Sequence, residues 1–176
     1  MSNIVYIATS LDGYIARKDG SIDWLREIPN PHNSDFGFNE FMEGVDAIIM
    51  GRNTFETVLS FNEWPYSKPV FVLSRSMKSL PSGYACKAEI VQGDLKLLIE
   101  SLNRNGLKTL YIDGGKTIQS FLELHLIDEF FITRLPVLLG SGISLFAESP
   151  VELKLEHIKT EVINNYLVKS HYRRNC

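Results

Sequence analysis

Residues 110–122 read LYIDGGKTIQSFL, an apolar run that changes into a helical pattern at two glycines. The apolar run predicts the end of a buried strand, and Ile118 and Phe121 recur at the spacing of one helix face. Gly114 and Gly115 form the joint, where the absence of Cβ atoms leaves the first helix amides open to a ligand. Together with the helix dipole, these amides predict a site for phosphate or pyrophosphate. A tight turn without a ligand is the alternative that the glycines alone leave open.

The composition is that of an ordinary globular chain, predicted to form one domain over 1–176. Hydrophobic residues make up 44% and charged residues 22%, and the net charge of −3 gives no basic excess for nucleic acid or a membrane surface. The sequence has neither a leader pattern nor an apolar run of membrane-spanning length, and Cys86 and Cys176 make no disulfide framework. We therefore expect a cytoplasmic protein without nucleic-acid or membrane partners.

Strand-like and helix-like segments alternate through most of the chain. Continuous apolar runs at 4–8, 46–50 and 69–73 predict buried strands, and Asp94 is the predicted N-cap of an amphipathic helix. This alternation predicts an α/β fold with a mainly parallel central sheet and helices on both faces.

The pattern changes after Ile127. Segments 130–137, 153–160 and 166–172 follow one another without helical patterns between them. We therefore expect an antiparallel C-terminal edge that completes the sheet.

Residues with affinity for phosphate follow three of the predicted strands. Gly51, Arg52 and Thr54 open a helix after the second apolar run, and Ser74 and Arg75 follow the third. Because ligands of parallel sheets bind beyond the carboxyl ends of the strands, these groups should gather with the glycine joint. Three such sites suit a dinucleotide with an additional 2′-phosphate, although a single arginine after a strand is most often a solvated charge.

Two other phosphate motifs fit the sequence poorly. Gly115, Lys116 and Thr117 match the end of a P-loop, but the glycine required five residues earlier is Leu110. The G-x-G-x-x-G fingerprint is missing after the first strand, which disfavours an ordinary Rossmann domain.

The chain resembles the dihydrofolate reductase superfamily, in particular the branch with the reductase domain of bacterial riboflavin biosynthesis. The resemblance extends over almost the whole chain and lies in five motifs: IATSLDGYIA at 7–16, IMGRNTFE at 49–56, LSR at 73–75, IDGG at 112–115 and PVLLGSG at 136–142. It implies a dihydrofolate reductase-like fold, NADPH as the hydride donor and a small heterocycle as the substrate.

The resemblance also assigns roles to the residues around NADPH. Ala8 matches the strand end whose backbone faces the nicotinamide amide. The remaining implied cofactor residues hold the phosphates: Gly51, Arg52 and Thr54; Ser74 and Arg75 at the 2′-phosphate; and Gly114 and Gly115, followed by Lys116 and Thr117, at the pyrophosphate.

Two carboxylates are candidates for the catalytic acid. Asp35 matches the ring-binding carboxylate of bacterial dihydrofolate reductases, and Asp12 lies in a turn that faces the substrate in the riboflavin branch. A helix cap and a plain turn aspartate are their structural alternatives. Trp24 and Phe38 are expected to bind substrate beside them, although a packed aromatic is the likelier account of Trp24.

The substrate is less well specified than the cofactor. The riboflavin-type reductases have a basic residue where this chain has Tyr14, and the nearest cations are Arg17, Lys18 and Arg26. The resemblance implies a 5-amino-6-(5-phosphoribosylamino)uracil reductase-like activity, with a dihydrofolate or other pteridine reductase and a non-catalytic NADPH-binding protein as alternatives. The histidines are scattered along the sequence, so no metal is expected; they are His32, His125, His157 and His171. A homodimer is among the expected partners.

Overall fold

The computed structural model describes residues 1–31, 33–146 and 152–175. The strands are β1 Ser2–Thr9, β2 Tyr14–Ala16, β3 Ala47–Gly51, β4 Val70–Leu73, β5 Ala88–Val91, β6 Thr109–Asp113, β7 Glu129–Arg134, β8 Ile143–Ser144, β9 Leu155–Ile163 and β10 Leu167–Arg174. The helices are α1 Asp23–Arg26, α2 Phe38–Glu43, α3 Arg52–Leu59, α4 Leu95–Arg104 and α5 Gly115–Glu123.

Eight strands form one sheet in the order β5-β4-β3-β6-β1-β7-β10-β9. Every pair from β5 to β7 is parallel, whereas β10 pairs antiparallel with both β7 and β9. The predicted α/β fold, a mainly parallel sheet with an antiparallel C-terminal edge, is therefore confirmed. Strands β2 and β8 form a separate two-stranded sheet that the sequence patterns did not reveal.

The core lies on both faces of the sheet because successive residues of its buried strands point in opposite directions. On one face, Ile49 belongs to a buried cluster with Ile99 of α4 and Phe121 of α5. On the other, Met50 packs in a second cluster with Phe55 of α3. This two-sided burial explains the continuous apolar runs in the sequence.

Several element boundaries differ from the sequence-based expectation. The helix expected at Ser34 and Asp35 begins at Phe38, because Phe36 and Gly37 have positive φ angles of 54° and 85° and turn the backbone there. Strand β7 ends at Arg134 instead of residue 137. The N-cap of α4 is as predicted: the Asp94 carboxylate accepts hydrogen bonds from the Lys96 and Leu97 amides at 2.8 and 3.1 Å.

Among the described residues, no helix has the length and apolar character needed to cross a bilayer. The same part of the chain contains no group of three or more His, Cys, Asp or Glu side chains that could hold a metal ion. His32 and Cys176 lie outside the described residues.

Candidate functional site

A large cleft opens at the carboxyl ends of the parallel strands. Its volume is about 1560 Å³, and its lining includes Gly51 of β3, Leu73 of β4 and Asp113 of β6. Ile7 and Ala8 of β1 close the cleft on the side of the antiparallel strands. The topology therefore creates a concave site at the edge where ligands of parallel sheets bind.

The cleft brings together all of the residues that were predicted to hold the cofactor. They come from four separate segments of the chain but line one continuous surface: Ala8, Gly51, Arg52, Thr54, Ser74, Arg75, Gly114, Gly115, Lys116 and Thr117. The residues at these strand ends therefore lie in one cleft, as the sequence predicted.

The starts of α3 and α5 lie side by side in this cleft. Gly51 is the N-cap of α3 and Gly114 that of α5, and neither helix has a side-chain cap. The first amides of both helices are therefore left for another partner, and both helix dipoles place partial positive charge in the cleft. Such a pair of helix starts fits a pyrophosphate group.

Glycine is required at this joint by close contacts as well as by backbone angle. Gly114 has a φ of 90°, and a Cβ atom there would lie 2.2 Å from Thr54 Oγ1. A Cβ atom on Gly51 would lie 2.9 Å from Thr117 Oγ1, so the threonine of each helix occupies the space left by the glycine of the other. Gly115 differs, because the side chain it lacks would meet Ile15 at 2.7 Å.

Two arginines supply positive charge beside the helix starts. Arg52 donates a hydrogen bond to Ser76 Oγ at 3.0 Å, which directs its side chain from α3 toward the loop after β4. That loop carries Ser74 and the exposed Arg75, both of which line the cleft. Arg52, Ser74 and Arg75 form a cationic, hydroxyl-bearing corner that suits a phosphomonoester.

Asp113 is the acidic residue with the most unusual environment in the cleft. The residue retains some exposure to the cleft, but protein atoms surround its carboxyl group, and this loss of solvation raises its pKa to about 6. The Gly114 amide donates to the carboxylate at 2.8 Å. The Tyr66 and Tyr111 hydroxyls also favour the charged form, yet burial outweighs these contributions.

Neither of the two predicted acids lines the cleft, and backbone amides donate hydrogen bonds to both carboxylates. Asp35 accepts hydrogen bonds from the Asn39 and Gly37 amides at 2.9 and 3.0 Å, which lower its pKa. Asp12 accepts from Ser10 Oγ at 2.6 Å and from the Leu139 and Gly140 amides, and these bonds likewise lower its pKa. Both carboxylates thus fix loops and hold protons weakly.

The predicted substrate-binding aromatics also lie away from the cleft lining. Trp24 is only 3% exposed and packs with Leu135 and Leu167. Phe38 is partly buried and belongs to an aromatic cluster with Tyr6 and Phe41. The cleft lining instead includes apolar side chains that had not been predicted to bind substrate: Ile7, Ile15, Ile22, Leu25 and Phe61.

Comparisons with known proteins agree with this geometry. The family model described as "RibD C-terminal domain" matches residues 3–169. The chain belongs to the RibD C-terminal domain family.

Two full-length relatives support this membership. A putative riboflavin biosynthesis protein from Shewanella sp. PV-4 is 54% identical, with a TM-score of 0.96 over 100% of both chains. The uncharacterized protein YwjB of Bacillus subtilis is 36% identical over 97% of each chain.

More distant structures share the fold of this RibD C-terminal domain protein. A diaminohydroxyphosphoribosylaminopyrimidine deaminase/5-amino-6-(5-phosphoribosylamino)uracil reductase from Thermotoga maritima is 17% identical, with a TM-score of 0.74 over 99% of this chain and 56% of that chain. Dihydrofolate reductase from Enterococcus faecalis, complexed with NADP(H) and RAB-propyl, is 16% identical, with a TM-score of 0.62 over 99% of this chain and 97% of that chain. The fold is therefore dihydrofolate reductase-like.

Sequence reasoning did not mark several polar residues of the cleft as functional, and Asp113 and Tyr66 are two of them. Asp113 precedes the two glycines in the motif IDGG, so its position at the end of a buried strand was visible in the sequence. Its pKa was not, because the desolvation depends on surroundings contributed by distant segments. Tyr66 follows α3 in a loop without a recognisable pattern.

Proposed function

We propose that the protein is an NADPH-dependent reductase that transfers a hydride to a small heterocyclic substrate, by family resemblance a 5-amino-6-(5-phosphoribosylamino)uracil-like compound. Membership of the RibD C-terminal domain family supports a reductase. The observation that carries the proposal is Asp113, a carboxyl group with a pKa of about 6 in the same cleft as the phosphate-binding groups. A buried carboxyl group whose pKa lies closer to neutral pH than usual is suited to proton transfer.

NADPH would supply the hydride, and the protein would supply position, charge and a proton. The amides at the starts of α3 and α5 would hold the pyrophosphate, and Arg52, Ser74 and Arg75 would hold the 2′-phosphate. Near Ala8 the apolar lining would exclude water from the acceptor ring. Asp113 would donate a proton to the substrate atom on which negative charge develops as the hydride adds. The reaction would take place in the cytoplasm.

A cofactor-oxidation screen tests this proposal. Loss of NADPH absorbance is followed with 5-amino-6-(5-phosphoribosylamino)uracil, dihydrofolate and quinone acceptors, and NADPH binding is titrated in parallel. Turnover with the first acceptor supports the riboflavin-type activity, whereas turnover with dihydrofolate alone assigns the protein as a pteridine reductase. Tight NADPH binding without turnover of any acceptor would indicate a non-catalytic binding protein, and failure to bind NADPH would overturn the proposal.

Arg75→Ala is expected to weaken NADPH far more than NADH, because only NADPH carries the 2′-phosphate that the guanidinium would hold. The loss of one charge-assisted contact should cost about 1.5–3 kcal/mol, or roughly 10- to 150-fold in NADPH affinity. Binding titrations with both cofactors measure the difference. Lys78→Ala is the control, since Lys78 is exposed on the same loop but does not line the cleft. Equal weakening of NADH and NADPH would rule out this role for Arg75.

Of the three cations nearest to Tyr14 in the sequence, Arg26 is the best placed for a phosphate on the substrate. It lines a smaller depression that shares Ile22, Leu25 and Phe61 with the cleft. Arg17 is less available, because it forms an ion pair of 2.7 Å with Asp23. Arg26 can therefore complement a ribose phosphate whose ring lies against the apolar lining.

Arg26→Ala is expected to raise KM for a phosphorylated acceptor by roughly tenfold or more, with a smaller effect on its dephosphorylated form. Steady-state kinetics with the two forms of one acceptor measure the ratio. Lys18→Ala, at an exposed site outside both linings, should change neither KM. If Arg26→Ala raises both values equally, Arg26 shapes the cleft without binding phosphate.

A further inference from the structure

The Asp113 carboxyl group lacks a positively charged partner. Among the described residues, no lysine, arginine or histidine forms an ion pair with it. Arg52 lines the same cleft but pairs with Glu56 at 3.6 Å, and Lys116 at the start of α5 is exposed. A carboxylate left by proton transfer in this poorly solvated place therefore depends on neutral hydrogen-bond donors for its stability.

Two tyrosine hydroxyls are the side-chain donors that act on Asp113, and they differ in availability. Tyr111, on β6, is buried, and its hydroxyl donates to the Tyr6 carbonyl oxygen of β1 at 3.0 Å. Because a hydroxyl has a single hydrogen, that of Tyr111 is already engaged. Tyr66, in the loop after α3, lines the cleft and can give its hydrogen to Asp113. The residue opposite Asp113 on β3 is Met50, which carries no charge.

Aromatic packing holds the Tyr66 ring in place. The ring lies 5.4 Å from that of Trp64, edge to face, and 6.5 Å from that of Phe38. The apolar body of the side chain is thus packed while its polar end reaches the cleft, an arrangement common for tyrosine. Burial also raises the pKa of Tyr66 far above its ordinary value. The hydroxyl therefore keeps its hydrogen, and remains a donor, at every pH at which the protein would work.

We infer that Tyr66 is a positioning residue for the acid, and that its hydroxyl stabilises the Asp113 carboxylate that remains after proton transfer. This inference rests on the proposed function. The Gly114 amide holds Oδ1 at 2.8 Å, so that the proton leaves Asp113 from the other oxygen, Oδ2, and goes to the substrate. Tyr66 keeps its own hydrogen throughout. Its bond to Asp113 becomes charge-assisted only as the carboxylate forms, and it therefore favours the transfer itself.

Tyr66→Phe tests this role, because it keeps the ring and removes the hydroxyl. In the cofactor-free protein, carbon-13 NMR follows the titration of the Asp113 carboxyl, whose signal is identified by its absence from Asp113→Asn. The midpoint should rise by about 1 pH unit, since the carboxylate loses a donor. In single-turnover measurements the rate on the low-pH plateau should fall roughly threefold to tenfold, and the decline of the rate should move to higher pH by the same interval. NADPH affinity should be unchanged.

Tyr84→Phe is the matched control. It removes a hydroxyl from a tyrosine that also packs on Trp64, at 5.4 Å, but does not line the cleft, and it should change neither the midpoint nor the rate. Melting curves establish that both variants are folded.

The two readouts separate this inference from the proposed function. An Asp113 midpoint that stays at the wild-type value in Tyr66→Phe would refute the role of Tyr66 and leave the proposed function intact. A lower plateau without a shift of the pH profile would refute it as well, because general damage to the site has that signature. If the wild-type protein reduces no acceptor, the proposed function fails, whereas the titration of the cofactor-free protein still decides whether Tyr66 stabilises the Asp113 carboxylate.

Discussion

Asp113→Asn is expected to lower the rate of hydride transfer by about 10²- to 10⁴-fold while nearly preserving NADPH affinity. The amide is similar in size to the carboxyl group, but it cannot donate a proton to the substrate and recover it from solvent. Because Asp113 has a pKa of about 6 and would act in its protonated form, wild-type turnover should fall as the pH rises through that value. The variant should lack this dependence. A pH series of single-turnover rates measures both effects.

Stability measurements distinguish this loss of chemistry from damage to the fold. The pKa of Asp113 is raised from 3.8 in its ordinary state to about 6, so the folded protein binds this proton more tightly than the unfolded chain does. The free energy of unfolding contributed by Asp113 therefore falls as the pH rises from about 4 to about 6. Asp113→Asn has no ionisable group at this position, so its free energy of unfolding does not fall in this way. The variant should therefore melt no lower than wild type at pH 8.

Three other aspartates serve as comparisons. Asp19→Asn changes an exposed carboxylate that also lines the cleft, and it should leave rate and pH profile intact. Asp12→Asn and Asp35→Asn should loosen their loops with little change in the pH profile, because hydrogen bonds lower the pKa of both groups. If Asp35→Asn instead abolishes the pH dependence while Asp113→Asn retains the wild-type rate, the proton comes from Asp35 and the role proposed for Asp113 is wrong.

Gly114→Ala is expected to weaken NADPH binding by more than roughly tenfold and to lower the melting temperature. The added methyl group must avoid Thr54 Oγ1, which lies 2.2 Å from its ideal position, and this displaces the start of α3 from that of α5. The backbone at Gly114, with φ 90° and ψ 135°, adds strain of about 1–3 kcal/mol for a residue other than glycine. NADPH titration and thermal melting together measure the two consequences.

Gly83→Ala is a matched control for the strain. Gly83 has a φ of 86°, similar to that of Gly114, but a Cβ atom there meets nothing within 4 Å, and the residue does not line the cleft. It should lower the melting temperature and leave NADPH affinity unchanged. If Gly114→Ala behaves in the same way as Gly83→Ala, the glycine joint serves the backbone alone, and the assignment of the pyrophosphate to this joint fails.

The sequence was most informative where local patterns and chain topology coincide. Gly51 and Gly114 each follow a buried strand, and a parallel sheet necessarily brings such strand ends to one edge. For this reason the residues predicted to hold the cofactor could be expected in advance to gather in one cleft. The short strands β2 and β8 could not, because each has few residues and depends on a partner far along the chain.

The acid that we propose was harder to predict, because the pKa of a carboxyl group depends on its three-dimensional surroundings. Asp12 and Asp113 directly precede a glycine and Asp35 lies two residues before one, so the three look alike in the sequence. They differ in solvation: backbone amides hold the first two at the surface, whereas the third lies beside Tyr66 and Tyr111 at the end of a central strand. Counting residues from a motif locates a carboxylate but does not give its pKa.

The position of β1 in the sheet also constrains how the chain folds. Strand β1 is made first during synthesis, yet it pairs on one side with β6, where Ser2 lies opposite Thr109, and on the other with β7, where Ile4 lies opposite Glu129. Contacts between such distant segments form slowly, and an apolar strand is prone to aggregate before its partner strands are present. Strands β3, β4 and β5 are neighbours both in sequence and in the sheet, so they can assemble early. During synthesis β1 therefore stays without either neighbour until β6, which begins at Thr109, has been made.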